Sequence, residues 1–560
     1  MNLRNIFQLK ACAVMALVLS VIFPASGQTM LQQLLGGSSV SNVPLQMPAA
    51  NKIAQAEKII EKFYVDTVNS DQLAEDAIVA MLATLDPHSS YSDPEETKEL
   101  TAPLDGNFSG IGVSFNMLND TLFVIQTTAG GPSEKVGILP GDRILQAGDS
   151  VISGIKRPKA SIIRILRGPK GTKVNLKVLR KGIAKPLDFL VTRDEIPVYS
   201  IDAAYMADPT TGYIRLSQFA ETTPDEISRA MKDLRKQGMK NLILDLQDNG
   251  GGLLGSAIDL ASRFLPDNEL VVYTKSPSLG NKYYGTERNG EFLDGRLVVL
   301  VNQYSASASE ITSGAIQDND RGVIVGRRTF GKGLVQRPFP FPDGSMIRLT
   351  VAKYYTPSGR CIQKPYVRGK SDDYRKDMLN RYEHGELSSA DSIHFDQSEK
   401  FQTTHSGRTV YGGGGIMPDI FVPIDTTGYS DYYRDLTAKG VINRFAISYV
   451  DDNRKALKKQ FPDEQSFLDG FTVTPEMIQE MVNLGEKDSV KANPEQLEVS
   501  LPTIKAIVKG LIGRDMFETS TYYKVVNPVL NPVYSRGLAI INDPDQYRAL
   551  LSAHKQQSKK

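Results

Sequence analysis

Hydrophobic positions along the chain change period several times, and each change predicts a different element. From Ala50 to about Leu85, Ile53, Ala56, Ile59, Ile60 and Phe63 recur at three-to-four spacing, continued by Leu73, Ala77, Val79, Met81 and Leu82. That spacing predicts helix, stopped by Pro87 in the run Leu85-Asp86-Pro87-His88-Ser89. From about 101 to 195 the pattern shortens and alternates. Gly110–Phe115, Leu122–Ile125, the stretch ending at Leu145 and Val174–Leu179 read as strands, and Lys159–Leu166 as a helix with Ile162, Ile163 and Leu166 on its apolar side. Beyond Pro197 come solid apolar strands, Leu242–Leu246, Leu297–Val301 and Val323–Gly326, alternating with helices at 224–238, 254–264 and about 307–317. Strand and helix in alternation at this spacing predict an α/β layer. After Thr426 the pattern is helical to the end and carries no evident chemistry, which suits packing or self-association into a homo-oligomer.

Three stretches depart from this patterning. Residues 1–27 have Arg4 and Lys10, an apolar run from Ala11 to Phe23 and the small-residue site Ala25-Ser26-Gly27, the marks of a cleaved signal peptide that would expose Gln28. The expectation is export, to the periplasm or cell envelope, with no stable membrane anchor after cleavage. Residues 28–50 are rich in Gly, Ser, Pro and Gln and read as a mobile lead. Residues 364–411 read as a polar insertion, also mobile, closed by the glycines at 412–415.

At 560 residues, 41% hydrophobic and 23% charged, the chain has the composition of a multidomain globular protein. Losing the leader removes two of 65 basic residues and none of the 64 acidic ones, which takes the formal charge from +1 to −1. No basic patch stands out, so nucleic acid is not an expected partner. Cys12 lies in the leader, so the mature chain keeps Cys361 alone; it forms no intramolecular disulfide and reads as a packed bystander.

Ser307 and Lys332 carry the candidate chemistry. Ser307 is the middle serine of Ser305-Ala306-Ser307-Ala308-Ser309, at a strand-to-helix turn. Lys332 lies 25 residues on, between Gly331 and Gly333. A serine hydroxyl attacks a carbonyl poorly until a base takes its proton, and a neutral lysine amine can be that base. The lysine must then fall from about 10.4 to roughly 7–8, about 4 kcal/mol against its charged form. Burial away from carboxylates would achieve this. A Ser/Ala-rich helix cap with no chemistry is the alternative for the serine run alone, and a solvated loop lysine the alternative for Lys332 alone. The five histidines, His88, His384, His394, His405 and His554, lack a triad context, and His88 reads as part of a turn. No His-Glu-x-x-His motif is present, and neither metal nor cofactor is expected. Glu310 reads as an ordinary first-turn acid.

These runs resemble the C-terminal processing peptidases, also called tail-specific proteases: Val299-Leu300-Val301-Asn302, then SASASE, then FGKGLVQ ending at Gln336, with the phrases LDPHS and GIMPDI. The resemblance implies Ser307 as nucleophile, Lys332 as general base and Gln336 as the residue that orients it. It implies an oxyanion hole from the N–H of Ala308 and that of either Gly251 or Gly252. The phrasing "GPS…LPGDRIL…LRGPKGT" resembles the PDZ insert of that family. It implies a groove for peptide C-termini near Gly110, Ile111, Gly112 and Val113, faced by Ile162 and Leu166; a tight turn in an ordinary β-domain is the alternative.

The implied architecture is multidomain α+β: a crotonase-like ββα peptidase core with an inserted PDZ-like domain and helical N- and C-terminal regions. Its divisions are a signal peptide (1–27), an N-terminal helical region (28–100), a PDZ-like domain (101–195), a core (196–425) with its polar insertion (364–411), and a C-terminal helical domain (426–560). The implied function is an exported serine endopeptidase acting near the C-terminal tails of protein substrates with exposed C-termini. A non-catalytic tail-binding scaffold and an acyl-CoA enzyme of the crotonase type are the competing readings.

Overall fold

The computed structural model describes residues 49–552. The leader and most of the Gly/Ser-rich lead lie outside the described residues, as does the end beyond Ser552. The chain divides into two units, Met1–Asp76 and Ala77–Lys560. In the first, the helix Ala49–Phe63 is amphipathic, with none of its residues buried.

The second unit is built on a six-stranded sheet. In spatial order its strands are Ile201–Met206, Thr211–Leu216, Asn241–Asp245, Leu297–Val301, Val323–Gly326 and Ile420–Phe421; the first pair is antiparallel and the rest parallel. Alternation along each strand feeds two cores. Leu242 and Leu244 join the helices Thr223–Lys236, Leu254–Ser262 and Ala308–Asp318 on one face. Ile243, Val298, Leu300 and Val325 face Val533, Tyr534, Ile540 and Tyr547 of the C-terminal helices on the other. With both faces covered, these strands read as solid apolar runs. The C-terminal region thus closes the sheet with its last helices, while residues 432–512 contribute a separate helical core.

A second sheet carries the long strand Met346–Tyr355, paired with Leu334–Pro340 on one side and with Ser90–Ser92 and Leu270–Lys275 on the other. It brings the turn at residues 85–89 next to the segment that carries Lys332.

The β-rich domain is a separate sheet in the order Val113–Leu118, Thr121–Thr127, Arg143–Ala147, Lys173–Leu179, Leu187–Thr192, with Ser150–Val151 on the third strand. The strand expected over Gly110–Phe115 is in fact two. Asn107–Gly110 pairs with Asp194–Pro197, and Val113–Leu118 starts afresh after Gly112, whose φ of +71° turns the chain. Val113–Leu118 pairs on one side only and is an edge strand.

The polar insertion is also ordered. It holds the helix Ser371–Glu383, whose Arg381 is 2% exposed. Arg381 pairs with Asp377 of its own helix and donates to core carbonyls, while Asp372, Asp373, Arg375 and Lys376 face solvent.

Candidate active site

The SASAS turn gives its three serines different environments. Ser305 and Ser309 are fully buried, and their hydroxyls donate to the carbonyls of Leu246 (2.7 Å) and Asn249 (2.9 Å). Ser307 lies between them with its side chain on a cavity of about 440 Å³. It is the N-cap of Ala308–Asp318 and adopts φ +56°, ψ −111°, a conformation L residues rarely hold. The helix dipole there favours developing negative charge.

Lys332 and Gln336 line the same cavity, with Ala308, Gly250, Gly251, Gly252, Arg348 and Tyr354. Burial, reinforced by the neighbouring Arg348 guanidinium, lowers the Lys332 amine from 10.5 to about 8; Glu310 and Asp86 pull weakly the other way. Among the described residues Lys332 has no ion pair. In the insertion, the Asp377 carboxylate pairs with Lys364 (2.8 Å) and Arg381 (3.1 Å).

The glycine run explains its own composition. A Cβ on Gly251, at φ +101°, would fall 2.8 Å from both Ser307 Cβ and Ala306 O. The two oxyanion candidates also separate. The Gly251 N–H donates to Asn249 Oδ1 at 2.8 Å and so is occupied. Ala308 N–H is at the first turn of its helix, where helical bonding supplies no acceptor. At Gly252 the bridge to Phe219 runs through Gly251 O and Leu253 N, which leaves the Gly252 N–H out of it.

Several further residues surround this geometry, of which Glu310, His88 and Cys361 carry only ordinary structural readings in the sequence. Glu310 is fully buried, and burial raises its carboxyl despite four hydrogen bonds: from the Thr329 hydroxyl (2.6 Å) and from the backbone N–H groups of Ser307 (2.8 Å), Gly331 (2.7 Å) and Lys332 (2.8 Å). The Tyr354 hydroxyl lies 3.1 Å from Ser307 O and 2.5 Å from Lys332 O, so it meets both residues' carbonyls. Arg381 donates to Thr329 O (2.8 Å) and Phe330 O (3.1 Å), bracing the lysine loop from the insertion. His88 bonds the Tyr374 hydroxyl through Nε2 at 2.9 Å; burial, then the nearby Lys332 charge, lowers it to about 4, so it is a neutral packing group. Burial pushes the Cys361 thiol up, the state of a packed cysteine.

In the β-rich domain, Ile111, Ile162 and Leu166 are 2%, 0% and 4% exposed and form its core. Ile162 and Leu166 pack on the face of the helix that meets the sheet. Val113 opens the edge strand, Gly110 and Gly112 flank the turn before it, and Lys159 stacks over Phe115 at 5.7 Å, which sets the helix beside that edge.

Known families match along most of the chain: peptidase family S41 over residues 210–374, PDZ domain over 109–191, the activating protease CtpB N-terminal domain over 26–97, and a family of unknown function over 432–518. The carboxy-terminal-processing protease of Bartonella bacilliformis is 39% identical over 305 residues, 54% of this chain and 69% of that protein. The carboxyl-terminal-processing protease of Synechocystis is 40% identical over 314 residues, 54% of this chain and 72% of that one. The carboxy-terminal processing protease CtpA of Bacillus subtilis is 29% identical over 460 residues, 81% of this chain and 90% of that protein. A PDZ domain binds peptide C-termini. With a serine-bearing cavity in the matched core and relatives of this closeness, the chain belongs to the C-terminal processing serine proteases of peptidase family S41.

Proposed function

We propose that Ser307 attacks the scissile carbonyl of a protein substrate while Lys332 takes the hydroxyl proton and returns it to the leaving amine. Gln336 orients the Lys332 amine. The N–H groups of Ala308 and Gly252 receive the oxyanion. Water then hydrolyses the acyl-enzyme, with Lys332 as base again. One observation carries this reading: Lys332 shares the Ser307 cavity, is unpaired among the described residues, and is lowered to about 8, where a useful fraction is neutral amine near pH 7–8.

The PDZ domain would select the substrate by its tail. The free edge of Val113–Leu118 supports addition of the tail as a further strand, with its carboxylate at the turn around Gly110–Gly112. The leader read in residues 1–27 supports action outside the cytoplasm, and N-terminal sequencing of the mature chain for a start at Gln28 tests that part.

The dyad is tested by cleavage of an unstructured protein with an apolar C-terminus, comparing the parent with Ser307→Ala and Lys332→Ala. The expected result is cleavage by the parent, lost in both variants. Equal cleavage by all three would overturn the assignment. Blocking the substrate's terminal carboxylate as an amide should raise KM; an unchanged KM would remove the PDZ domain from recognition.

A further inference from the structure

The turn Leu85-Asp86-Pro87-His88-Ser89 holds a hydrogen-bond chain that ends on Gln336. The Asp86 carboxylate accepts the N–H of His88 (2.9 Å) and of Ser89 (3.0 Å) on Oδ1, and the Ser89 hydroxyl (2.6 Å) on Oδ2. Burial would raise this carboxyl, but these bonds, with one from Thr350, outweigh it and hold it below its ordinary value. Across the sheet, the Thr350 hydroxyl lies 2.9 Å from Asp86 Oδ1 and 3.2 Å from Gln336 Nε2. Ser89 Oγ also accepts the Thr350 N–H at 3.0 Å, which fixes the threonine on its strand.

The order of donors in this chain is forced. An ionised carboxylate only accepts, so the single Thr350 hydroxyl hydrogen goes to Asp86. Toward Gln336 the Thr350 oxygen can then only accept, and the Gln336 amide must offer its NH2 group. Nitrogen and oxygen sit on opposite branches of the amide. With Nε2 held by Thr350, Oε1 is left as the acceptor on the other branch, on a side chain that lines the cavity with Lys332. A neutral amine has two N–H donors and one lone pair. Donating one N–H to Gln336 Oε1 leaves the lone pair for the Ser307 hydroxyl. The reversed amide would present NH2 to Lys332 and capture that lone pair.

We propose that Asp86 and Thr350 are positioning residues of the protease: they fix the Gln336 amide in the one orientation that leaves the Lys332 lone pair free for Ser307. This rests on the Ser307–Lys332 reading. It assigns the LDPHS turn a role in catalysis through its aspartate rather than its histidine.

The test uses the full chain and a peptide substrate, with Thr350→Val, Thr350→Ser and Asp86→Asn beside Lys332→Ala. Thr350→Val keeps shape and backbone and removes the hydroxyl. Expected is a fall in kcat of roughly tenfold or more with KM within about twofold, restored by Thr350→Ser. Asp86→Asn, which can donate as well as accept, should lower kcat in the same way, and the Asp86→Asn/Thr350→Val pair should lose no more than the worse single variant.

The pH profile separates orientation from loosening. Lys332 is faced by Arg348 from the long strand, Glu310 from the nucleophile helix, and Asp86 and His88 from the turn. An amide turned with NH2 toward Lys332 disfavours the ammonium, so the acid limb of kcat/KM in Thr350→Val should move to lower pH even as kcat falls. A merely loosened cavity would admit water, favour the ammonium and move it up. Parent-like kcat in a folded Thr350→Val, no rescue by serine, or an acid limb moved upward would each overturn the proposal. Loss of activity in Lys332→Ala beside an unaffected Thr350→Val would overturn it alone, whereas activity retained in Lys332→Ala would overturn the dyad reading beneath it.

Discussion

A single carboxylate oxygen of Glu310, Oε2, accepts the backbone N–H of Ser307 and the backbone N–H of Lys332, each at 2.8 Å. The proposed nucleophile and base are therefore registered against each other by one buried atom. The other oxygen, Oε1, ties in Thr329 and Gly331. A glutamine cannot replace this, because its NH2 must face one of the two pairs of donors. Glu310→Gln should lose about 2–5 kcal/mol of stability from unsatisfied buried groups and roughly a hundredfold in kcat from misplacement of the pair. Urea unfolding and peptide turnover on the same preparation check this; parent-like values in both would show that the clamp does not matter.

The value near 8 for Lys332 sets a pH dependence with a definite sign. The working form is the amine, so kcat/KM should rise with pH, reach half its plateau near about 8, and fall toward zero slope above. The same shift opposes folding. The folded value lies below the ordinary 10.5, so burial of the ammonium costs about 3 kcal/mol at every pH below the folded value. That cost fades between about 8 and 10.5 as the unfolded chain's lysine also loses its proton. Lys332→Met should thus be inactive yet more stable than the parent at pH 7, with the gain gone by about pH 10.5. Denaturant melts at the two pH values measure it; an equal gain at both would mean that the methionine simply packs better.

Much of this site was legible because its chemistry and its scaffold share residues. Leu297–Val301 is apolar at every position, so strand and following turn stand out, and the serine alternation marks which hydroxyl differs. Ser307, Lys332 and Gln336 could be singled out by motif. Glu310, Thr350 and Tyr354 could not, since a first-turn acid, a strand threonine and a strand tyrosine have ordinary uses, and only tertiary contact reveals that these bond the backbone of Ser307 and Lys332 or the Gln336 amide. In the PDZ domain periodicity marks Ile162 and Leu166 as the apolar face of a helix, but not how that face is shared between core and ligand; the structure shows both in the domain core. The polar insertion misled because charge was read as solvation, while Arg381 is buried with its charge on carbonyls of the catalytic loop.

That buried arginine gives a third expectation. Its two terminal nitrogens reach Thr329 O and Phe330 O, the residues just before Gly331 and Lys332, and Nε stands 3.1 Å from Asp377. A lysine carries the charge but not the planar fork, so it cannot hold both carbonyls and the carboxylate together. Arg381→Lys should reduce kcat by roughly tenfold with little change in the affinity of a tail peptide, which binds at the PDZ domain. Titration of a fluorescent tail peptide alongside turnover distinguishes the two; weakened tail binding would mean the insertion acts on recognition instead.

The final expectation concerns strain at Ser307. Ser307 holds φ +56° and ψ −111° because its surroundings leave no alternative: Glu310 pulls on its N–H, Tyr354 meets its carbonyl, and Gly251 abuts its Cβ. A non-glycine residue in such a conformation carries on the order of 1–3 kcal/mol, while glycine at an N-cap costs only a few tenths relative to the preferred caps. Ser307→Gly and Ser307→Ala both remove the hydroxyl and should both be inactive, yet the glycine variant should be the more stable by about 2 kcal/mol, because the left-handed φ adds to the roughly 1 kcal/mol by which an unstrained N-cap already prefers glycine to alanine. Paired urea melts decide it. An alanine variant as stable as the glycine would mean that the turn relaxes once the hydroxyl is gone, and that the clamp from Glu310 and Tyr354 is softer than its distances suggest.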